Sequence, residues 1–69
     1  MTNTIELEIA IKRSGLTKRE IAKQLGLSEM GLYKKIKNIT EFKASEIFLL
    51  SKILAINDKE KIFFSEKVI

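Results

Sequence analysis

The chain has 69 residues, with no cysteine, no histidine and no proline, and its formal net charge is +4. A domain of this size buries only about 60% of the surface that its unfolded chain exposes, so the sequence has room for one small core. The absence of cysteine and histidine excludes disulfides, thiolate or imidazole metal ligands and an imidazole general base. We therefore expect a single domain over residues 1–69 that binds no metal and no cofactor.

The distribution of charge along the chain narrows the class of protein further. Basic and acidic residues balance in residues 1–16 and again in residues 44–69, so the whole excess of +4 lies between residues 17 and 43.

No stretch approaches about 18 uncharged apolar residues, and the N-terminal segment MTNTIELEIA carries acids where a secretory signal carries bases. We expect a cytoplasmic protein that does not contact a membrane.

The first predicted helix begins after residue 3 or 4 and ends near Ser14, where Gly15 provides a stop signal. Its inward stripe is Leu7, Ala10, Ile11 and Ser14. The segment TIELEIAI also alternates apolar and polar residues with period two, which is the pattern of a strand. The glycine and the helix-favouring residues AIKRS favour a helix, which leaves Ile5 and Ile9 outside the inward stripe.

The second predicted helix covers residues 18–25 and has clear signals at both ends. Thr17 and Glu20 fit a capping box, in which each side chain accepts a hydrogen bond from the other residue's backbone N–H. Gly26 follows at the position where a left-handed backbone favours glycine, so the helix should end abruptly there. The inward residues are Ile21, Ala22 and Leu25.

The third predicted helix covers residues 29–37 and follows the second after a short turn. Leu27 can fill the corner between the two helices, and Ser28 is a good N-cap. Helical periodicity then directs Leu32 and Ile36 toward the core. The exposed stripe on the other side is Met30, Tyr33, Lys34 and Lys37.

Two further helices complete the predicted fold. After the loop NITEF, a fourth helix covers about residues 43–54, and a fifth covers residues 58 to about 66. Asn57 and Glu60 fit the cap and capping-box positions of the fifth helix. The inward residues of the fourth helix are Ile47, Leu50, Ile53 and Leu54. We predict an all-α fold, a compact bundle of five short helices.

The segment TKREIAKQLGLSEMGLYKKI resembles the helix-turn-helix of Cro and phage-repressor proteins, also called the Xre-like family. Ala22 falls where this family has a small residue at the contact between the two helices, and Gly26 falls at the turn. The turn, cap and inward positions are occupied by Leu27, Ser28 and Leu32. The resemblance spans about residues 7–56 and implies a lambda-repressor-like DNA-binding fold with its motif at about residues 17–37.

The sequence departs from the family pattern at two positions. The family often has the second inward residue of its recognition helix at the position of Lys35, whereas this chain offers Ile36, one residue later. Gly31 lies inside the third helix, where glycine costs up to about 1 kcal/mol relative to alanine. Both departures concern individual contacts rather than the motif itself.

The resemblance implies a sequence-specific, double-stranded DNA-binding transcriptional regulator of the phage repressor or Cro type, whose second motif helix reads the major groove. One chain would contact a half-site of about four to six base pairs, so we expect a homodimer on a two-fold operator. The predicted phosphate contacts are Thr17, Lys18, Arg19, Lys37, Asn38, Thr40 and Lys43. The predicted base contacts are Ser28, Glu29, Met30, Tyr33 and Lys34.

Several of these residues also have a structural interpretation. The lysines can form a solvated helix face, and Tyr33 can cover the core as a half-buried lid. Glu29 can complement the macrodipole at the start of its helix or accept a hydrogen bond from cytosine N4. As base contacts, Met30 would pack on a thymine methyl group, and Lys34 would donate a hydrogen bond to guanine O6 or N7.

The alternative function is a small helical protein-binding module, such as an antirepressor, an adaptor or an antitoxin-like protein. The segment KIFFSEKVI carries more apolar surface than one short helix needs, which a second copy or another protein would cover. Its apolar residues are Phe63, Phe64, Val68 and Ile69, and Ile5 and Ile9 of the first predicted helix add to this apolar surface. An enzyme is disfavoured, because the acids lie singly along helix surfaces with no histidine or cysteine in the chain.

Overall fold

Side-chain caps define where most of the helices begin. The computed structural model describes residues 1–64 and contains five α-helices there: α1 Thr4–Ser14, α2 Lys18–Leu25, α3 Glu29–Ile36, α4 Ala44–Ile53 and α5 Lys59–Phe63. Four cap side chains accept a hydrogen bond from the backbone N–H of the third helical residue: Asn3, Thr17, Ser28 and Asp58. The prediction of an all-α, five-helix fold is confirmed for the described residues.

The N-terminal segment is a helix and not a strand. In a strand, Ile5, Leu7, Ile9 and Ile11 would all lie on one face. In α1, Leu7 and Ile11 are 0% and 5% exposed, whereas Ile5 and Ile9 are 72% and 43% exposed. The helix therefore divides the alternating isoleucines and leucine between the core and the solvent.

The connection between α2 and α3 follows the predicted signals. The capping box is present, since the Glu20 N–H donates to Thr17 Oγ1 at 3.1 Å and the Thr17 N–H donates to Glu20 Oε1 at 2.9 Å. Gly26 ends α2 with φ +74°, and the Leu27 N–H donates back to the Ala22 carbonyl at 2.8 Å. Only residues 26–28 separate the two helices, which pack against each other.

The core receives apolar side chains from all five helices. Its buried residues are Leu7, Ile11, Ile21, Ala22, Leu32, Ile36, Ile47, Leu50, Leu54, Ile62 and Phe63. α2 packs against both α3 and α4, and α5 packs against both α1 and α4. The radius of gyration is 10.9 Å, which agrees with the value of about 11 Å expected for a compact chain of this length.

The start of α5 corrects the prediction. Asp58, not Asn57, is the N-cap, because its Oδ1 accepts a hydrogen bond from the Lys61 N–H at 3.1 Å. Asparagine and aspartate are about equally good caps. The sequence signal was therefore ambiguous between these two neighbouring residues.

The end of α5 also differs from the prediction. The helix ends at Phe63, with Phe64 as its C-cap, rather than near residue 66. Phe63 is only 3% exposed and packs edge to face on Phe42, with ring centres 5.4 Å apart, so it belongs to the core and not to an exposed apolar surface. Phe64 is 57% exposed, as expected for one of two adjacent phenylalanines. Val68 and Ile69 lie outside the described residues.

We expect Gly26→Ala to lower the free energy of unfolding by about 1 kcal/mol, because a Cβ disfavours the left-handed conformation. A Cβ built on Gly26 meets no atom within 4 Å, so the cost comes from the backbone alone. Ala55 has φ +55°, and Ala55→Gly is the matched control that should raise the stability. Urea unfolding of both variants measures the two effects, and an unchanged stability of Gly26→Ala would contradict the turn geometry.

Candidate nucleic-acid interface

Only one face of α3 is buried in the core. Leu32 and Ile36, one helical turn apart, are each 1% exposed. The outer face of α3 consists of Met30, Tyr33 and Lys34 and is continued by the C-cap Lys37, and all four residues are exposed. The Lys37 ammonium lies 5.9 Å from the centre of the Tyr33 ring, so the ring forms part of the outer surface together with the lysine. The predicted inward and outward positions of α3 are confirmed.

The N-terminal end of α3 depends on a serine cap and a glycine. Ser28 Oγ accepts a hydrogen bond from the Gly31 N–H at 2.9 Å. A Cβ on Gly31 would lie 3.1 Å from this Oγ, which is closer than an ordinary van der Waals contact. The glycine in the third helix, which the sequence marked as a departure, therefore leaves room for the cap.

The predicted base contact Glu29 pairs with a neighbouring helix. Its Oε2 lies 2.9 Å from Arg19 Nε in the first turn of α2. The two side chains are 60% and 84% exposed, so the ion pair is solvated. Glu29 also lies in the first turn of α3, where a negative charge stabilises the helix. These contacts agree with the structural role that the sequence left open for this residue.

The predicted phosphate contacts Thr17, Lys18 and Arg19 lie together at the start of α2. The Thr17 hydroxyl belongs to the capping box. The Lys18 ammonium lies 3.1 Å from the Glu8 carboxylate of α1, and the Lys18 side chain is 49% exposed. The backbone N–H groups of Lys18 and Arg19 are in the first turn, where an α-helix supplies no internal acceptor.

The C-terminal end of α3 is joined to α4 by a shielded ion pair that sequence reasoning missed. Lys35 Nζ lies 2.9 Å from Glu46 Oε1, and the two side chains are only 12% and 11% exposed. The same ammonium donates to the Glu41 carbonyl at 3.0 Å. The position of Lys35 next to the inward Ile36 was the available signal, because a lysine there needs an acceptor close to the core.

The Glu46 carboxylate also caps α4, which explains its acidity. Burial raises its pKa, but the hydrogen bond from the Lys43 N–H, at 2.8 Å, and the neighbouring Lys35 ammonium lower it more. The positive charges of both lysines act in the same direction. The pKa of Glu46 therefore lies below its ordinary value of 4.5, and the carboxylate is charged at neutral pH.

The end of α3 is joined to the N-terminal residues as well. The Thr4 hydroxyl donates to the Ile36 carbonyl at 2.6 Å. Asn38, with φ +64°, accepts from the Thr2 N–H at 2.9 Å and donates to the Thr2 carbonyl at 2.8 Å. Both polar atoms of the Asn38 side chain, which was predicted to contact phosphate, are therefore engaged within the protein.

The other predicted phosphate contacts in this region are Lys37, Thr40 and Lys43. They are exposed and follow or lie at the end of α3, in the segment that leads to α4. Lys43 has a backbone N–H committed to Glu46, while its side chain remains at the surface. The structure thus leaves three exposed side chains with hydrogen-bond donors beyond α3.

Comparisons of the chain with protein-family models, curated proteins and solved structures find no match. Within residues 1–64, no group of three carboxylates is placed to hold a metal ion. In the same part of the chain, no helix has the length and apolar character needed to cross a membrane.

We expect Glu46→Gln to lower the free energy of unfolding at pH 7 by about 2 kcal/mol, the value of a hydrogen bond to a charged group. Because the folded pKa is lowered, the charged carboxylate contributes fully above pH 4.5, and this contribution is lost as the pH falls further. Glu46→Gln should therefore show a weaker loss of stability on acidification. Urea unfolding between pH 7 and pH 3 measures both effects.

The double variant Lys35→Met, Glu46→Gln is the matched control. Lys35→Met alone leaves the carboxylate shielded without its ammonium partner, whereas the double variant leaves no charge at this position. The double variant should therefore be more stable than the sum of the two single effects predicts. Additive effects would contradict a direct interaction between the two side chains.

Proposed function

We propose that α2 and α3 form a helix-turn-helix and that the protein is a sequence-specific, double-stranded DNA-binding transcriptional regulator. The observation that carries this proposal is the outer face of α3, which is exposed and basic while Leu32 and Ile36 hold the opposite face in the core. A helix exposed along one side can enter the major groove of B-DNA. The resemblance to Cro and phage-repressor proteins supports the same function.

The charge distribution supports a polyanionic ligand. The whole net charge of +4 lies in residues 17–43, which contain α2, α3 and the segment after α3. Lysine and arginine side chains that contact phosphates release counterions from DNA, and this release supplies much of the affinity. A basic surface confined to one part of a small domain is therefore well suited to bind the DNA backbone.

We assign phosphate contacts to the start of α2 and to the segment beyond α3. The ion pairs of Lys18 and Arg19 are partly or largely exposed, and such pairs contribute only about 0–1 kcal/mol, so phosphate can displace the carboxylates. The first-turn N–H groups of α2 add donors for the same phosphate. The further contacts are Thr17, Lys37, Thr40 and Lys43. Asn38 is left out, because Thr2 occupies its side chain.

We assign base contacts to Met30, Tyr33 and Lys34 on the outer face of α3. Met30 can contact a thymine methyl group, and Lys34 can donate to guanine O6 or N7. Ser28 instead caps the start of α3, and Glu29 lies in its first turn, where a negative charge stabilises the helix. One α3 covers a half-site, so two copies would bind a two-fold operator.

A protein-binding module is the second candidate function. Exposed apolar residues outside the outer face of α3 favour it: Ile5 is 72% exposed, Phe48 58% and Phe64 57%. Selection of bound sequences from random duplex DNA distinguishes the two functions. A recovered palindromic site supports the regulator, and recovery of no sequence preference overturns it. A partner complex that is insensitive to salt would favour the module.

We expect Lys34→Ala to weaken binding to the selected site by about 1–3 kcal/mol and to relax the choice of one base. Lys43→Ala should instead weaken specific and non-specific DNA equally and reduce the slope of log K against log salt by about one unit. Lys52→Ala is the control, because it removes one positive charge outside the residues assigned to DNA. Lys52 lies on α4 beside the Phe48 ring. Fluorescence anisotropy over a salt series measures all three variants.

An equal loss of affinity for all sequences in Lys34→Ala would assign Lys34 to a phosphate. An effect of Lys52→Ala as large as that of Lys43→Ala would show that binding reflects net charge alone. Either result would contradict the division of these residues into base contacts and phosphate contacts.

A further inference from the structure

The outer side of α1 carries two exposed isoleucines that lie next to each other. Ile5 is 72% exposed and Ile9 is 43% exposed, and residues four apart lie on the same side of a helix. They face away from Leu7 and Ile11, which anchor α1 in the core. Single exposed apolar residues are common on protein surfaces, so the pair becomes informative only through the charges that accompany it.

Two opposite charges flank Ile9 on one side of this stripe. Glu6 lies in the first turn of α1 and Arg13 in the last turn. The two residues are seven positions apart, about two helical turns, so they project from the same side. Both line one groove together with Ile9. Within residues 1–64, the ion pairs involve other side chains, so these two charges are available to a partner.

The order of these charges is complementary to itself. Along the helix axis, Glu6 lies about 4.5 Å before Ile9 and Arg13 lies about 6 Å after it, at a rise of 1.5 Å per residue. In an antiparallel pair of α1 helices with a two-fold axis near Ile9, Glu6 of each copy lies beside Arg13 of the other. In a parallel pair, the two-fold axis would run along the helices and place Glu6 and Arg13 of the two copies on opposite sides of the contact, so these ion pairs would not form.

We propose that a second copy of this chain packs its α1 antiparallel against α1 through Ile5 and Ile9, with two symmetric Glu6 to Arg13 ion pairs. The groove beside the stripe, of about 520 Å³, continues the apolar surface toward the junction of α4 and α5. Charge complementarity selects a copy of the chain as the occupant, because the same surface supplies both signs in the required order. This surface lies outside the residues assigned to DNA.

The contact is small, and its strength follows from its size. An eleven-residue helix is about 16 Å long, and one helix face buries less than the roughly 800 Å² per partner of a standard stable interface. Association through α1 is therefore weak and concentration-dependent. Two copies bound to one ligand would associate much more strongly, because the ligand raises the effective concentration of each copy near the other.

Disulfide trapping tests the proposal, because the natural chain contains no cysteine. In the antiparallel pair, the two copies of residue 9 lie beside the two-fold axis, so Ile9→Cys should form a cross-linked dimer under mild oxidation without DNA. Phe48→Cys is the matched control, since Phe48 is 58% exposed but lies on α4. The Ile9→Cys chain should cross-link much faster than the Phe48→Cys chain at low ionic strength.

Charge reversal then tests the orientation in the Ile9→Cys background. Glu6→Lys alone, or Arg13→Glu alone, should slow cross-linking by roughly fivefold, the effect of two exposed ion pairs. A mixture of the two single variants should restore the rate by forming mixed dimers. A chain that carries both reversals should also recover, because its charges are complementary again. Circular dichroism confirms that each variant retains its helices.

Equal cross-linking of Ile9→Cys and Phe48→Cys would overturn the proposed contact. Charge reversals without effect, or a mixture no faster than its components, would overturn the antiparallel pairing. The mixture is the strictest test, since both of its chains carry the unfavourable helix-end charges and yet should associate. No DNA is present in these experiments, so their outcome is separate from that of the proposed DNA binding.

Discussion

The burial of Leu32 and Ile36 is the constraint on which the candidate interface depends. The two side chains lie one turn apart on α3, so burying both determines how the helix is rotated about its axis. Met30, Tyr33, Lys34 and Lys37 must then face the solvent. Rotation by one residue would carry lysine toward the core, where an unpaired charge is strongly disfavoured. Apolar packing therefore places the surface charges.

Lys35 shows how this constraint accommodates a charge beside the core. Its ammonium is shielded, but the Glu46 carboxylate and the Glu41 carbonyl supply acceptors at 2.9 and 3.0 Å. Because Glu46 also accepts a hydrogen bond from the N–H of Lys43, the residue before α4, one carboxylate connects the end of α3 to the start of α4. A shielded pair of this kind contributes modestly to net stability, but the loss of one partner is costly. It therefore favours one arrangement of the two helices.

Features that depend on neighbouring residues could be predicted from the sequence. The capping box of Thr17 and Glu20 and the left-handed Gly26 were predicted because each signal lies within a few residues of its effect. The shielded ion pair and the contact between Thr2 and Asn38 were not, because their partners are far apart in the chain, by 36 residues in the second case. In the candidate site, the exposed face of α3 could be predicted, but the engagement of Asn38 could not.

The hydrogen bonds of the N-terminal residues have a consequence for how the protein is made. Thr4 is bonded to Ile36, and the Asn3 N–H donates to the Ile62 carbonyl at 2.6 Å. Residues 3 and 4 can therefore make these hydrogen bonds only after Ile36 and Ile62, which come later in the chain, have been synthesised. During translation, α2 and α3 can pair locally as soon as both have emerged, but α1 cannot be held at both positions until Ile62 is available. Closure of the fold is therefore a late event in biosynthesis.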